Sequence, residues 1–433
     1  MAETVVMKFG GTSVADAERI KRAAGRIVQS ADQGNHVVAV LSARGKHTDE
    51  LVALAQEVSA RPHPREMDML LSTGERVSCA LAAMVINDQG HEAISLTGSQ
   101  AGIVTDSGHT RARILEVKAH RIREALDSGK IVLVAGFQGV SQQSLDVTTL
   151  GWGGSDTTAV ALAAALGAEV CEIYTDVPGV FSADPRIVPE AKKLPVLTFE
   201  EMLEMSASGA GVLQLRSVEY ARNHGVTIHC RSSFEDGPGT VVGEEDLTME
   251  RPLVTAVTHS TSEARITLTG LPDRPGIAGR VLTALADANV NVDMIIQNEP
   301  ESEGRSADMS VTVPREDLAL AREALEPLAD ELDFGAIQAD AQMGKVSLVG
   351  AGMRSHPGVA AKALTVLGQA GVNIEMISTS PIKISCVVRE QDVRTAVKQL
   401  HTAFGLGVDA VLPEDVAGDH RPRINPDDTA NAA

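Results

Sequence analysis

The stretch Thr4-Val5-Val6-Met7-Lys8-Phe9-Gly10-Gly11-Thr12-Ser13 runs from a short apolar segment into paired glycines, and apolar residues at helical spacing follow from Ala15 to Gln29. It predicts a buried strand, a tight turn at Gly10-Gly11 and a helix. Such a turn lets backbone N–H groups approach a phosphate, and the helix N-terminus adds favourable partial charge. Lys8 at the strand end would reach the same phosphates. Taken alone, the turn is better read as a tight turn beside a surface lysine. It is not the other common phosphate loop, since no G-x-x-x-x-G-K-[ST] occurs in the chain.

Outward from this stretch the pattern repeats. His36 to Leu41 and Lys130 to Ala135 are continuous apolar runs of the kind found in parallel strands buried on both faces. Val170 to Tyr174 is a further strand. Met67 to Asp88 reads as one long helix and Thr157 to Leu166 as an Ala-rich one. Alternating strands and helices predict a parallel α/β sheet with helical layers on both sides. This domain is expected to span 1–245, closing after the turn Gly237-Pro238-Gly239. A linker and first regulatory strand (246–262) would follow.

The second half contains a repeat. Asp273-Arg274-Pro275-Gly276 recurs as Ser355-His356-Pro357-Gly358, and LADANVNVDMI (285–295) recurs as LGQAGVNIEMI (367–377) at the same offset. Each copy follows an apolar run ending in glycine, at Ile266 to Gly270 and Val346 to Gly350. Two copies are too few for a solenoid and predict a pseudo-symmetric pair, at 263–342 and 343–412. The polar tail 413–433 reads as disordered.

The 433 residues carry 38 basic and 58 acidic side chains, a formal net charge of −20. That argues against nucleic acid or an anionic membrane as partner but leaves a local basic site possible. Four isolated cysteines, Cys79, Cys171, Cys230 and Cys386, lack metal-site spacing and predict reduced, buried thiols. With no signal-like N-terminal segment and no apolar run of about 20 residues, the expectation is a soluble cytoplasmic protein.

Two further runs carry chemistry. Leu150-Gly151-Trp152-Gly153-Gly154-Ser155-Asp156 leads into a helix, with Ser155 or Asp156 available as N-cap. Tyr174-Thr175-Asp176-Val177-Pro178-Gly179-Val180-Phe181-Ser182-Ala183-Asp184-Pro185-Arg186 is a polar turn at a strand end, where ligands of open α/β sheets bind.

Together these runs resemble the amino-acid-kinase fold, and the aspartate kinases in particular. That family shows K-[FY]-G-G-[ST]-S, S-A-x-G-x-x-T-[DN], G-E-R, G-R-G-G-S-D and T-D-V-x-G-V-[YF]-x-x-D-P-R, here at Lys8 to Ser13, Ser42 to Asp49, Gly74 to Arg76, Gly151 to Asp156 and Thr175 to Arg186. The repeat resembles paired ferredoxin-like βαββαβ ACT domains. The resemblance implies phosphorylation of a carboxylate by ATP with Mg²⁺, most readily L-aspartate to 4-phospho-L-aspartate. Lys8 would neutralise the transferring phosphoryl group and Asp156 would orient the reacting groups. Gly10, Gly11 and Ser13 would cradle phosphates, and Tyr174, Thr175, Asp176, Phe181, Ser182, Asp184, Pro185, Arg186 and Gly211 would complete the nucleotide site. Ser42, Thr48, Asp49, Glu75, Trp152, Gly153, Gly154 and Ser155 would line the acceptor site, with Glu75 receiving its ammonium.

For the ACT pair the resemblance implies an amino-acid effector, lysine or threonine. One site would use Asp273, Gly276, Ala278, Gln297 and Asn298, the other Met353, Gly358, Val359, Asn373 and Ile374. It also implies a homo-oligomer, or association with a regulatory subunit started internally at Met249.

Three positions depart from the family pattern. Trp152 replaces the arginine that holds the acceptor's α-carboxylate, a bidentate task indole cannot perform. Gly211 replaces a lysine that contacts ATP, and Arg44 stands where a neutral residue is common. Three readings follow: an aspartate kinase in which Arg44 or Lys46 restores the charge, a paralogue acting on another carboxylate, or an inactive nucleotide-binding homologue. A sensor built on the ACT pair alone would have no need of Lys8, Glu75, Asp156 and Asp184.

Overall fold

The computed structural model describes residues 3–244, 252–298, 307–356 and 358–407. Met249, Glu299-Pro300, Pro357 and the 413–433 tail lie outside the described residues.

The first half is built on an eight-stranded sheet. In order across the sheet its strands are Val196–Thr198, Thr240–Gly243, Thr227–Ser232, Val170–Thr175, Thr4–Phe9, His36–Leu41, Ile131–Ala135 and Ala93–Leu96. All neighbouring pairs are parallel except Thr227–Ser232 with Thr240–Gly243. The apolar runs behave as their composition requires. Val6, Val38, Val40, Val132 and Val134 face one core, while Met7, Phe9, Ala39, Leu41, Leu133 and Ala135 face the other. Helices Ala17–Asp32 and Thr73–Asp88 cover the second face, and helix Gly154–Leu166 covers the first. Residues 154–163 of that last helix are all buried, which its run of alanines permits.

Two helix boundaries differ from the sequence reading. The long helix expected from Met67 to Asp88 is two, Pro64–Leu71 and Thr73–Asp88. The break falls at buried Ser72, whose carbonyl accepts from Gln138 Nε2 (2.8 Å) and whose hydroxyl accepts from Arg76 (3.0 Å). Helix Gly154–Leu166 is capped by Gly153 (φ 76°), so Ser155 and Asp156 lie buried in its first turn. A four-stranded sheet also stands apart, in the order Ile114–Val117, Ile103–Thr105, Gln138–Ser141, Val147–Thr149.

The second half is one antiparallel six-stranded sheet, in the order Ile295–Gln297, Ala307–Pro314, Ala256–Leu271, Ala336–Val349, Lys383–Arg389, Ile374–Ser380. The repeat is visible in its two flanking helices, Ile277–Asp287 and Val359–Gln369. Each is entered through a left-handed glycine, Gly276 (φ 97°) and Gly358 (φ 104°). The two units interlock through the long central strands. Ala264 to Leu271 packs in the core of the first unit, whereas Val254 and Val257 pack in the second beside Val346 and Leu348. The first unit is therefore inserted within the second, which residue spacing alone did not reveal.

The halves meet along a tight seam. Gly209 has φ 104°, and a Cβ there would lie 1.9 Å from the His259 carbonyl oxygen. Gly209→Ala is expected to lower the melting temperature by the equivalent of about 2 kcal/mol or more, from left-handed strain plus a backbone clash. Differential scanning calorimetry against Gly211→Ala, where no atom lies within 4 Å, provides the check.

Candidate active site

Four adjacent parallel strands deliver their carboxyl ends to one place. Thr4–Phe9 ends in Gly10-Gly11, His36–Leu41 in Ser42-Ala43, Ile131–Ala135 in Gly136-Phe137, and Val170–Thr175 in Asp176. Close backbone approach holds these ends together. Gly10 N–H donates to Tyr174 O (3.2 Å), Ser42 N–H to Phe9 O (3.1 Å), and Gly45 N–H to Gly11 O (3.0 Å). A Cβ on Gly11 would lie 2.9 Å from Ala43 O, and one on Gly136 would lie 2.7 Å from Ser155 Oγ. Glycine is needed at both points for the strand ends and the helix start to meet.

Over these ends Lys8 forms an ion pair with Asp156, both side chains largely buried. Glu75, in the first turn of Thr73–Asp88, accepts a hydrogen bond from Ala43 N–H (3.2 Å) through Oε1, while its buried Oε2 has no hydrogen-bond partner. Burial pushes the Glu75 carboxyl up to about 7. Asp68 is fully buried and satisfied by Thr149 Oγ1 (2.5 Å), Thr110 N–H (3.0 Å) and His109 Nδ1 (2.6 Å), which ties the 106–113 loop to the site's edge.

The structure sorts the expected residues. Lys8, Gly10, Gly11, Ser42, Glu75, Gly154, Ser155 and Asp156 converge, and Thr48 and Asp49 begin the adjoining helix His47–Val58. Ser13 Oγ is engaged with Ser233 Oγ (2.5 Å). The Tyr174 ring is withdrawn into the core, stacked on Phe9 (centroids 4.8 Å apart) with its hydroxyl on Glu172, so only its backbone faces the turn. Thr175 Oγ1 donates to Asp176 (3.2 Å). Asp184 pairs with exposed Arg186, which holds its carboxyl below the usual range, and Pro185 between them is exposed. Trp152 is 81% exposed, and Arg44 and Lys46 are exposed on the turn between strand His36–Leu41 and helix His47–Val58. Gly211 is exposed with open space around it.

Ser182 departs furthest from expectation. It is buried against the regulatory half. Its hydroxyl donates to Leu406 O (3.1 Å), accepts from Lys192 N–H (2.9 Å) and meets His401 Nε2 (2.9 Å). With the single hydroxyl proton on Leu406 O, His401 Nε2–H is the donor, and burial keeps this imidazole's pKa low. Ser182 O also accepts from Val257 N–H (2.7 Å). Phe181, Ala183, Ile187, Val188 and Ala191 join the second unit's core, so the expected nucleotide loop shares a hydrophobic core with the regulatory sheet.

On the regulatory half, Asp273, Gly276, Gln297, Asn298, Gly358 and Asn373 are exposed at helix entries and edge strands. Val359 is buried, and Ala278, Met353 and Ile374 pack against the two unit cores.

Sequence reading missed Phe137, a non-glycine held at φ 68° with its N–H on Thr158 Oγ1 (3.2 Å) and its carbonyl on Leu150 N–H (2.8 Å). A strand followed by Gly136-Phe137-Gln138-Gly139 repeats the signal of Phe9-Gly10-Gly11 and could have found it. His401 carried no such signal.

Comparison with known proteins agrees with this geometry. The family model described as Amino acid kinase family matches residues 3–232, and ACT domain models match 265–330 and 346–404. The aspartokinase of Mycobacterium tuberculosis is 57% identical over 94% of this chain and 97% of its own length. That of Corynebacterium glutamicum is 54% identical over 93% and 96%. The chain belongs to the aspartokinase family. Among solved structures, E. coli aspartokinase III in complex with aspartate and ADP (R-state) superposes with a TM-score of 0.81 at 27% identity, covering 93% of this chain and 99% of that one.

Two outcomes are expected. Because the folded-state pKa of Glu75 lies above its ordinary value of 4.5, its burial costs nothing below pH 4.5 and destabilises increasingly up to about pH 7. Glu75→Gln should therefore raise stability at pH 8 by up to about 3 kcal/mol and leave it little changed at pH 4.5, read by urea titration at both values. His401→Ala should lower stability by about 1–3 kcal/mol in the same urea titration at pH 8, since Ser182 loses one buried partner. His401→Gln, which keeps a donor near the Nε2 position, should restore most of the loss.

Proposed function

We propose that this chain is an ATP-dependent aspartate kinase that makes 4-phospho-L-aspartate. The observation that carries the reading is the Lys8–Asp156 pair set over the Gly10-Gly11 turn, with Glu75 presenting an unpartnered carboxylate oxygen beside Ala43. Aspartate and ADP are the ligands of the E. coli aspartokinase III structure it resembles.

In the reaction, a β-carboxylate oxygen of aspartate attacks the γ-phosphorus of ATP, and the bond to the bridging oxygen breaks to release ADP. A carboxylate is already ionised at pH 7, so no general base is needed. The demands are alignment and charge neutralisation. Lys8 supplies the neutralising charge at the strand end. Asp156 holds its ammonium in place, and the N–H groups of Gly11 and the start of helix Gly154–Leu166 would face the transferring oxygens. Glu75 takes the substrate ammonium, which draws its carboxyl back to the ionised form. Gly211 has open space around it, which leaves room for a nucleotide on that side. Mg²⁺ would arrive on the nucleotide, where it spreads the phosphate charge.

The exposed ACT-unit residues Asp273, Gly276, Gln297, Asn298, Gly358 and Asn373 are read as an amino-acid effector surface for lysine or threonine, with Ala278, Met353, Val359 and Ile374 behind them. Lysine is present in the E. coli aspartokinase III T-state structure, matched with TM-score 0.71 at 26% identity. Assembly as a homo-oligomer, or with a subunit started at Met249, and a cytoplasmic location belong to the same reading.

A second reading rests on Trp152. Its 81% exposure leaves the arginine's task unfilled at that position, which favours an acceptor lacking the α-carboxylate. ADP release measured with L-aspartate, L-glutamate, succinate and β-alanine separates the two. Turnover is expected to be greatest with aspartate, and Lys8→Ala should lower it about 10²–10³-fold. Faster turnover with an acid lacking the α-carboxylate would favour the second reading, and near-normal turnover in Lys8→Ala would remove Lys8 from the mechanism.

A further inference from the structure

A cavity of about 540 Å³ opens beside the glycine-rich loop that precedes helix Gly154–Leu166. Arg111, Arg113 and Arg216 line it together with Gln214, Glu219 and Tyr220. The loop packs against two of these lining residues. A Cβ on Gly151 would lie 3.6 Å from Arg111 Cγ, and one on Gly153 would lie 2.0 Å from Gln214 Cγ. The cavity is therefore built against the same loop that carries Ser155 and Asp156.

Its charge is unusual for this chain. The molecule carries a formal net charge of −20, yet three guanidinium groups and one carboxylate face this space. Arg216 is held in place, donating to Leu150 O (2.9 Å) and Ala112 O (2.9 Å). It is half-buried, and this burial, with the neighbouring Arg113 charge, lowers its affinity for the proton, while the Asp106 and Glu219 carboxylates oppose that shift. The Arg111 and Arg113 side chains have no hydrogen-bond or ion-pair partner among the described residues. Their backbone is fixed all the same. Arg111 N–H donates to Gly108 O (3.2 Å), Ala112 N–H to Thr149 O (2.9 Å), and Arg113 N–H to Asp106 Oδ1 (3.0 Å). A rigid loop thus presents two free forks to an open cavity, the arrangement that recognises a carboxylate in bidentate fashion.

We propose that this cavity receives the non-reacting carboxylate of the acceptor acid, with Arg111 the residue that sets specificity for it. The inference rests on the reading of the chain as an aspartate kinase, because such an acceptor brings a second carboxylate that needs a cation of its own. Lys8 is already paired with Asp156, and exposed Trp152 offers no charge. Arg111 and Arg216 both pack against the loop, but the Arg216 guanidinium is engaged by Leu150 O and Ala112 O, whereas that of Arg111 has no partner among the described residues. Trp152 projecting outward leaves its approach clear.

The test is calorimetric affinity of the full chain, with a non-hydrolysable ATP analogue present, for L-aspartate and for L-isoasparagine, in which the α-carboxylate is an amide. Wild type should bind aspartate at least about tenfold more tightly than isoasparagine. Arg111→Ala should lose at least about tenfold in aspartate affinity, leave isoasparagine unchanged, and so bring the ratio close to one. Arg111→Lys should recover part of the ratio, since it restores charge without the fork. Unchanged aspartate binding in Arg111→Ala, an equal loss for both ligands, or no discrimination by wild type would each overturn the assignment. ADP release by wild type with aspartate is read separately: its absence would sink the aspartate-kinase reading, whereas the affinity ratio judges the pocket.

Discussion

The ion pair between Lys8 and Asp156 is the constraint around which the catalytic half is arranged. Either charge left alone in that position would carry a desolvation cost of several kcal/mol, so each needs the other. Lys8 belongs to the central strand and Asp156 to the first turn of a helix, so pairing them seats the helix start over the strand ends. That seating leaves no room for side chains at several points. Gly136 must clear Ser155, Gly154 must clear Leu150 and Phe137, and Gly11 must clear Ala43. The glycines thus follow from the ion pair as much as from any ligand. They bring N–H groups of two helix starts toward the place where phosphate charge would sit.

The second constraint is the seam between the halves. Val254 and Val257 enter the regulatory core from a strand that begins directly after the catalytic half, while Ala183, Ile187 and Val188 enter the same core from the expected nucleotide loop. Glu201 adds a polar tie. It closes a capping box with Thr198 and accepts from Thr255 Oγ1 (2.6 Å) and Ala351 N–H (3.4 Å), so a catalytic helix cap is completed by regulatory residues. Lys383 pairs with Glu204 (2.8 Å) alongside. Packed cores respond to strain by shifting between discrete arrangements rather than by gradual deformation. A displacement of the regulatory sheet therefore has a direct physical route to the nucleotide loop.

What the sequence disclosed and what it hid follow from the range of the interactions involved. Strand identity was legible because a strand buried on both faces must be apolar throughout, as His36–Leu41 and Ile131–Ala135 are. Lys8, Gly10, Gly11, Glu75 and Asp156 were legible because each sits in a short run whose residue types are dictated by local backbone geometry. Ser182 was misread because its local run is that of a nucleotide loop, while its partner His401 lies 219 positions away. The interlocking of the two regulatory units was hidden for the same reason. A repeat reports where a motif recurs, not which unit receives the strand before it. The break at Ser72 depends on Gln138, and the withdrawal of Tyr174 on Phe9, contacts that no periodicity encodes.

The charge distribution draws these strands of the argument together. An acidic chain repels anionic ligands at long range, so recognition of ATP and a dicarboxylate must be local and partly desolvated. Here the cations near the site are sorted by their partners. Lys8 is held by Asp156 and Arg231 by Glu172 (2.9 Å), which places them but also reduces their free charge. Arg111 and Arg113 are held only by their backbone and keep their full charge for whatever enters the adjoining cavity. A site that must grip phosphate groups tightly yet release an acyl phosphate gains from this division. Paired cations give fixed geometry with moderated attraction, while unpaired ones on a rigid loop give selectivity at a point removed from the transferring group. Loss of a cation at position 152 is tolerable in such an arrangement, because the loop that carries Trp152 is flanked by a neighbour able to supply the charge from outside.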